Sequence, residues 1–161
     1  MTVPTLQTDH LDLKLQGPEE VRAMIAAMSP AERRELSADW LAKMEAATHP
    51  DPWVHGFVAV HRESGQPVGQ GMFKGPPVAG VVEIAYAVNP DQQRRGYATE
   101  IARALVAFAF SIDAIRTVRA HTLPQPNPSN RLLGHCGFTH LGEVIDPEDG
   151  PVWRFEKHRA A

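Results

Sequence analysis

The chain carries a single cysteine, Cys136, so it can form no internal disulfide and supplies no multi-cysteine metal cluster. Such sparing use fits a reducing cytoplasm. It has no uninterrupted apolar run long enough to cross a bilayer, so no membrane partner is expected. Residues 1–10 have neither the charged nor the apolar region of a secretory signal. Positive charge is not in excess either. A formal net charge of −3 excludes the broad basic face that nucleic-acid binding requires, while leaving room for a local anion site. The eight histidines are scattered, with no His-Glu-x-x-His and no other close ligand spacing, so no metal is expected. No Gly-Lys-Ser/Thr follows the glycines, and no Gly-x-Gly opens a helix. Both a Walker loop and a dinucleotide fingerprint are therefore absent.

What remains is an ordinary globular composition, 43% hydrophobic and 22% charged over 161 residues, read as one domain over 1–161. Residues 11–15 alternate as a strand, and Gly17-Pro18 with Glu19 and Glu20 starts a helix. Ser29-Pro30, with Glu32 three residues after the serine, caps a second helix bearing Leu36, Trp40, Leu41 and Met44 on one side. Strands are expected over 54–61 and 68–73 around a Ser-Gly turn, and then over 81–88. A helix over 98–112, a strand over 116–122, a helix from Ser129 and two closing strands over 138–144 and 152–156 complete the order. This is a mixed α/β (α+β) domain built on one twisted central sheet flanked by helices.

The most informative stretch runs from Val82 to Thr99. An apolar strand ends at Pro90, and Gln93-Arg94-Arg95-Gly96-Tyr97-Ala98 leads straight into the long helix. A glycine-containing basic loop at a helix start holds a pyrophosphate, because unpaired backbone N–H groups and the positive end of the helix dipole converge there. Gly96 and Ala98 keep the loop free of bulk, and the two guanidiniums add charge. Glu83 lies in the same strand, with Ala85 and Ala87 on its side leaving space. It is a candidate general base beside the bound anion. Cys136 sits among apolar helix positions and reads as a core residue.

This pattern resembles the GNAT superfamily of acyl-coenzyme A-dependent N-acetyltransferases. The superfamily's loop motif is Arg or Gln, two residues, Gly, one residue, then Gly or Ala, and it fits at Gln93, Gly96 and Ala98. Glu83 to Tyr86 before it, and Ser129-Asn130-Arg131-Leu132-Leu133 leading to Cys136-Gly137-Phe138 after it, add to the likeness. The Ser129 block looks closest to the branch that acetylates ribosomal-protein N-termini.

The resemblance implies acetyl-CoA as co-substrate, with its pyrophosphate on the amides of Arg94, Arg95, Gly96, Tyr97, Ala98 and Thr99. Its pantetheine arm would pair with exposed main chain at Tyr86, Ala87 and Val88, where a backbone N–H would also stabilise the thioester oxyanion. Gln93 belongs to the same loop, and Asn127 would contact coenzyme A, although it precedes the serine by two residues where the family's asparagine precedes it by three. Glu83 would deprotonate a primary amine, which then attacks directly in a ternary complex. Many relatives use a tyrosine where this chain has Leu133, so Ser129 would protonate the leaving thiolate. Ser129 also reads as a helix N-cap. A catalytically idle acyl-CoA-binding module of the same fold is the alternative, and a nucleotide-binding enzyme using the same loop is a third. The acceptor would be a small-molecule or peptide amine, approached past the acidic residues Asp146, Glu148 and Asp149. A homodimer would be unsurprising.

Overall fold

The computed structural model describes residues 5–160; residues 1–4 and 161, at the ends of the expected 1–161 domain, lie outside the described residues. The strands are β1 (Leu6–Gln7), β2 (Leu11–Leu15), β3 (Phe57–His61), β4 (Pro67–Phe73), β5 (Val81–Val88), β6 (Thr117–Thr122), β7 (Thr139–Asp146) and β8 (Gly150–His158). The helices are α1 (Pro18–Ala27), α2 (Pro30–Arg34), α3 (Ala38–Ala46), α4 (Tyr97–Phe110) and α5 (Pro128–His135). All eight strands form one sheet in the order β1-β2-β3-β4-β5-β6-β8-β7. Every neighbouring pair is antiparallel except β5 and β6, which are parallel and joined through α4. The mixed sheet with flanking helices is the fold class expected.

Alternation decides which face is covered. Leu11 and Leu13, Phe57 and Ala59, Val82 and Ile84, Val118 and Ala120 all point to one side and are buried. They meet Ile101, Ala102, Leu105 and Ala109 of α4, spaced at helical intervals, together with Leu133 of α5. The close seat of α4 depends on Gly71 in β4. A Cβ there would stand 2.7 Å from Ile101 Cγ2 and 3.0 Å from Leu105 Cδ1. Gly71→Val is therefore expected to overpack this contact and cost about 1–3 kcal/mol. The check is a lowered urea midpoint with an unchanged m-value.

Local chemistry shifts several expected boundaries. The second helix is two. The Ser29/Glu32 capping box opens α2, but the Ser37 hydroxyl accepts the Trp40 N–H and starts α3 anew. The strand expected from Val54 begins at Phe57 instead. Asp51 Oδ1 accepts the Trp53 N–H at 2.8 Å and its carbonyl accepts the His55 N–H at 2.7 Å, holding these residues in a turn. The short β1 was not expected, since two residues carry no period to read. Finally, α5 starts one residue before Ser129, because Asn127 is its N-cap: the Asn127 side chain accepts the Asn130 N–H at 3.1 Å. Ser129 thus sits inside the first turn, with no capping duty.

Candidate active site

The loop after β5 has the geometry an anion requires. A short 3₁₀ turn at Pro90–Gln92 leads into it, and Arg94 and Gly96 both adopt the left-handed region, with φ of 66° and 82°. Gly96 is the α4 N-cap and has no side chain to offer. The first helical bond runs from the Glu100 N–H to the Gly96 carbonyl at 3.2 Å, so the amides of Tyr97, Ala98 and Thr99 have no partner within the helix. A Cβ on Gly96 would meet nothing within 4 Å, so the space beside these amides is open. Arg94 and Arg95 are exposed, whereas the Tyr97 ring is buried and anchors the helix start, leaving its backbone as the group available to a ligand. Gln93 Nε2 donates to the Val88 carbonyl at 3.2 Å and ties the loop to the strand end.

The strand edge leading to this loop is open as well. β5 pairs with β4 from Ile84 to Val88, but with β6 only from Val81 to Ile84. β6 continues to Thr122 along β8 instead. The two central parallel strands therefore part after Ile84, and the β6-facing edge of Ala85, Tyr86, Ala87 and Val88 has no strand beside it. Main chain exposed in this way can accept an extended molecule as a further strand.

On the face away from α4, Glu83 stands in a charged cluster drawn from four strands and a turn. Its Oε2 is 3.0 Å from His121 Nδ1 and 3.4 Å from Lys74 Nζ. Arg154 Nε donates to His121 Nε2 at 3.1 Å. Arginine can only donate, so Nε2 is the acceptor and Nδ1 carries the proton that His121 gives to Glu83. Lys74 Nζ also lies 3.7 Å from Asp149 Oδ2. Burial works to lower the Lys74 pKa, but Glu83 and Asp149 outweigh it and hold the ammonium above the ordinary lysine value. Lys74 is consequently a cation and no base.

Asp146 Oδ2 accepts the N–H groups of Glu148 and Asp149, and those bonds keep its carboxyl below the usual range. Glu83, His121 and Asp146 each bring one oxygen or nitrogen atom within 4.8 Å of the others, a spacing a divalent ion could use. Both imidazole nitrogens are already engaged, however, and the Lys74 and Arg154 cations flank the site, which disfavours a metal there. Of this cluster, sequence reasoning singled out Glu83 and the acidic turn and missed Lys74, His121 and Arg154. The alternation Arg119, His121 on β6 was the available signal that one side of that strand is charged.

The opposite face of the same opening holds Tyr86 and Ser129. Burial pushes the Tyr86 phenol up to about 12, with the neighbouring Ser129 hydroxyl pulling partly the other way. A phenol raised in the fold favours the native state only while it stays protonated. Its contribution is full below about pH 10, the ordinary tyrosine value, and is lost as pH rises through about 12. Alkaline absorbance titration of wild type minus Tyr86→Phe should show no Tyr86 phenolate at pH 10. Leu133, where many relatives have a tyrosine, is fully buried in the core. Cys136, the C-cap of α5, is buried, and burial pushes its thiol up. Trp53 packs edge-on against Phe73 at 4.9 Å, and Phe57 is buried in the core.

Comparison with known proteins agrees with this geometry. Residues 3–139 match the acetyltransferase (GNAT) domain family. The chain is 26% identical over 152 residues to an uncharacterized N-acetyltransferase, YoaA, of Bacillus subtilis, covering 86% of this chain and 85% of that one. It is similar in fold to RimL, a ribosomal-protein acetyltransferase solved with coenzyme A, at TM-score 0.71 and 14% identity, covering 96% of this chain and 98% of that one. It is also similar to the aminoglycoside acetyltransferase AAC(6')-Ib, likewise solved with coenzyme A, at TM-score 0.65 and 19% identity, with 92% and 95% covered. A splayed strand pair, a glycine-capped helix start and a family match along most of the sequence converge: the chain belongs to the GNAT acetyltransferases, enzymes whose co-substrate is acetyl-CoA.

Proposed function

We propose that this enzyme transfers the acetyl group of acetyl-CoA to the nitrogen of a primary amine by direct attack in a ternary complex. The observation carrying the reading is the opening between β5 and β6, with Glu83 on one face and Tyr86 and Ser129 on the other. A thioester laid along Tyr86, Ala87 and Val88, with its pyrophosphate on the amides of Gly96 to Thr99, would present its carbonyl within that gap. The acceptor approaches from the Glu83 face, so donor and acceptor occupy the site together.

The ammonium gives a proton to the Glu83 carboxylate, held in place by the His121 N–H. The neutral nitrogen attacks the thioester carbon, a backbone N–H of β5 meets the oxyanion, and the C–S bond breaks. The thiolate takes a proton from the Ser129 hydroxyl, the serine oxygen regains one from the attacking nitrogen as that nitrogen becomes an amide, and the Tyr86 phenol beside Ser129 is the reserve donor. Asn127 supports this arrangement by capping α5 and so fixing where Ser129 sits. The reading is tested by titrating acetyl-CoA into the protein calorimetrically and following thiol release with a panel of amines. Micromolar binding with amine-dependent thiol release is expected. Binding without release from any amine would favour the idle acyl-CoA-binding module, and stabilisation by ATP instead of acetyl-CoA would favour a nucleotide enzyme.

A further inference from the structure

We propose that the acceptor carries a carboxylate next to its amine, as an α-amino acid does, and that Arg154 takes that carboxylate while Glu83 takes the ammonium. The inference rests on the reading of Glu83 as base and names the substrate class of the same site. Three cationic side chains stand on this face of the sheet among the described residues around Glu83. Arg119 is satisfied by Glu156 Oε2, at 2.7 Å from Nε and 2.7 Å from Nη2. Lys74 is shared between Glu83 and Asp149. Arg154 is half-buried and, among the described residues, has no carboxylate within salt-bridge reach. Its Nε is committed to His121 at 3.1 Å. The terminal Nη1–Nη2 edge makes no hydrogen bond among the described residues, and that edge matches a carboxylate in a two-pronged fork.

Spacing selects the ligand. Glu83 and Arg154 bond opposite nitrogens of one imidazole, so they are separated by the width of that ring and two hydrogen bonds. An ammonium on Glu83 and a carboxylate on Arg154 are then separated by roughly the span of one small zwitterion. Charge follows the same polarity. The Glu83 end carries two carboxylates, Glu83 and Asp146, against the one ammonium of Lys74, and the other end carries the guanidinium. His121, fixed as the neutral tautomer between them, adds no charge to either end. A peptide N-terminus or a lysine side chain brings the ammonium alone, and would leave a half-buried guanidinium without its counter-charge.

The test compares each standard amino acid with its primary amide and its decarboxylated amine, alongside a peptide with a free N-terminus and an aminoglycoside. Thiol release is followed for wild type and Arg154→Gln. The glutamine amide can still donate to His121 Nε2, so the tautomer survives while the guanidinium is lost. At least one amino acid is expected to exceed its own amide and amine by about tenfold to a hundredfold in kcat/KM, and Arg154→Gln should bring that ratio towards one. The wild-type comparison stands even if the variant fails to fold. Equal or better use of the amide or amine, or acetylation of the peptide or aminoglycoside alone, would overturn the proposal and leave the N-acetyltransferase reading intact. Acetyl-CoA binding with no acetylation of any amine would overturn both.

Discussion

Glu83→Gln is expected to lower kcat by about 10²–10⁴-fold while leaving acetyl-CoA affinity unchanged. The amide oxygen of glutamine can accept the His121 Nδ1–H, now made at 3.0 Å, so the cluster keeps its shape. What it loses is a group that can take a proton from the incoming ammonium. On the proposed reading acetyl-CoA would contact the other side of the strand and the amides beyond Gly96, so calorimetry should give the wild-type dissociation constant. Unchanged turnover would remove Glu83 as base and hand the role to a water. Since the variant cannot deprotonate the amine for itself, its remaining rate should climb with pH towards the amine's own pKa.

The second large effect is at Gly96. Gly96→Glu should abolish acetyl-CoA binding, at least a hundredfold in dissociation constant. Three effects act together. The residue holds φ at 82°, which L side chains rarely adopt, so some strain enters the loop. The new side chain enters the open space beside the Tyr97, Ala98 and Thr99 amides, where the pyrophosphate would lie. Its carboxylate is also drawn to the same helix terminus the phosphates would use, competing with them and repelling them. Because a Cβ there meets nothing within 4 Å, the fold itself should persist, which circular dichroism would confirm. Full-strength binding by the variant would mean that the loop is not the phosphate site.

The parts of the site that lie within one short stretch of chain were legible in the sequence. The strand bearing Glu83, the turn at Pro90 and the glycine-capped start of α4 follow one another within eighteen residues, and each leaves a local mark. The elements were legible for the same reason: periodicity and caps are properties of neighbours. What escaped was made by distant segments. His121 and Arg154 meet because β6 pairs with β8 in antiparallel register, and no local pattern announces that partnership. Lys74 reaches Glu83 because β4 lies beside β5. Competition between caps explains the rest. Ser37 restarts a helix that apolar spacing alone would have carried through, and Asn127 takes the capping position that Ser129 could have filled.

The parting of β5 and β6 after Ile84 bears on how the protein must be handled and stored. An unpaired strand edge is a template on which other chains aggregate, and most sheets keep such edges at their margins and blunt them with charge or proline. Here the bare edge lies in the middle of an eight-stranded sheet, between β5 and a β6 that runs on along β8. A strand from a second molecule would have to enter end-on between two strands already held together at their base, whereas a slender thioester arm meets no such barrier. That barrier holds only while the strands stay folded, so coenzyme A, binding the folded protein alone on the proposed reading, should keep the edge out of reach by stabilising the native state. Protein warmed with it should scatter less light than protein warmed alone, and purification in its presence should yield more monodisperse material.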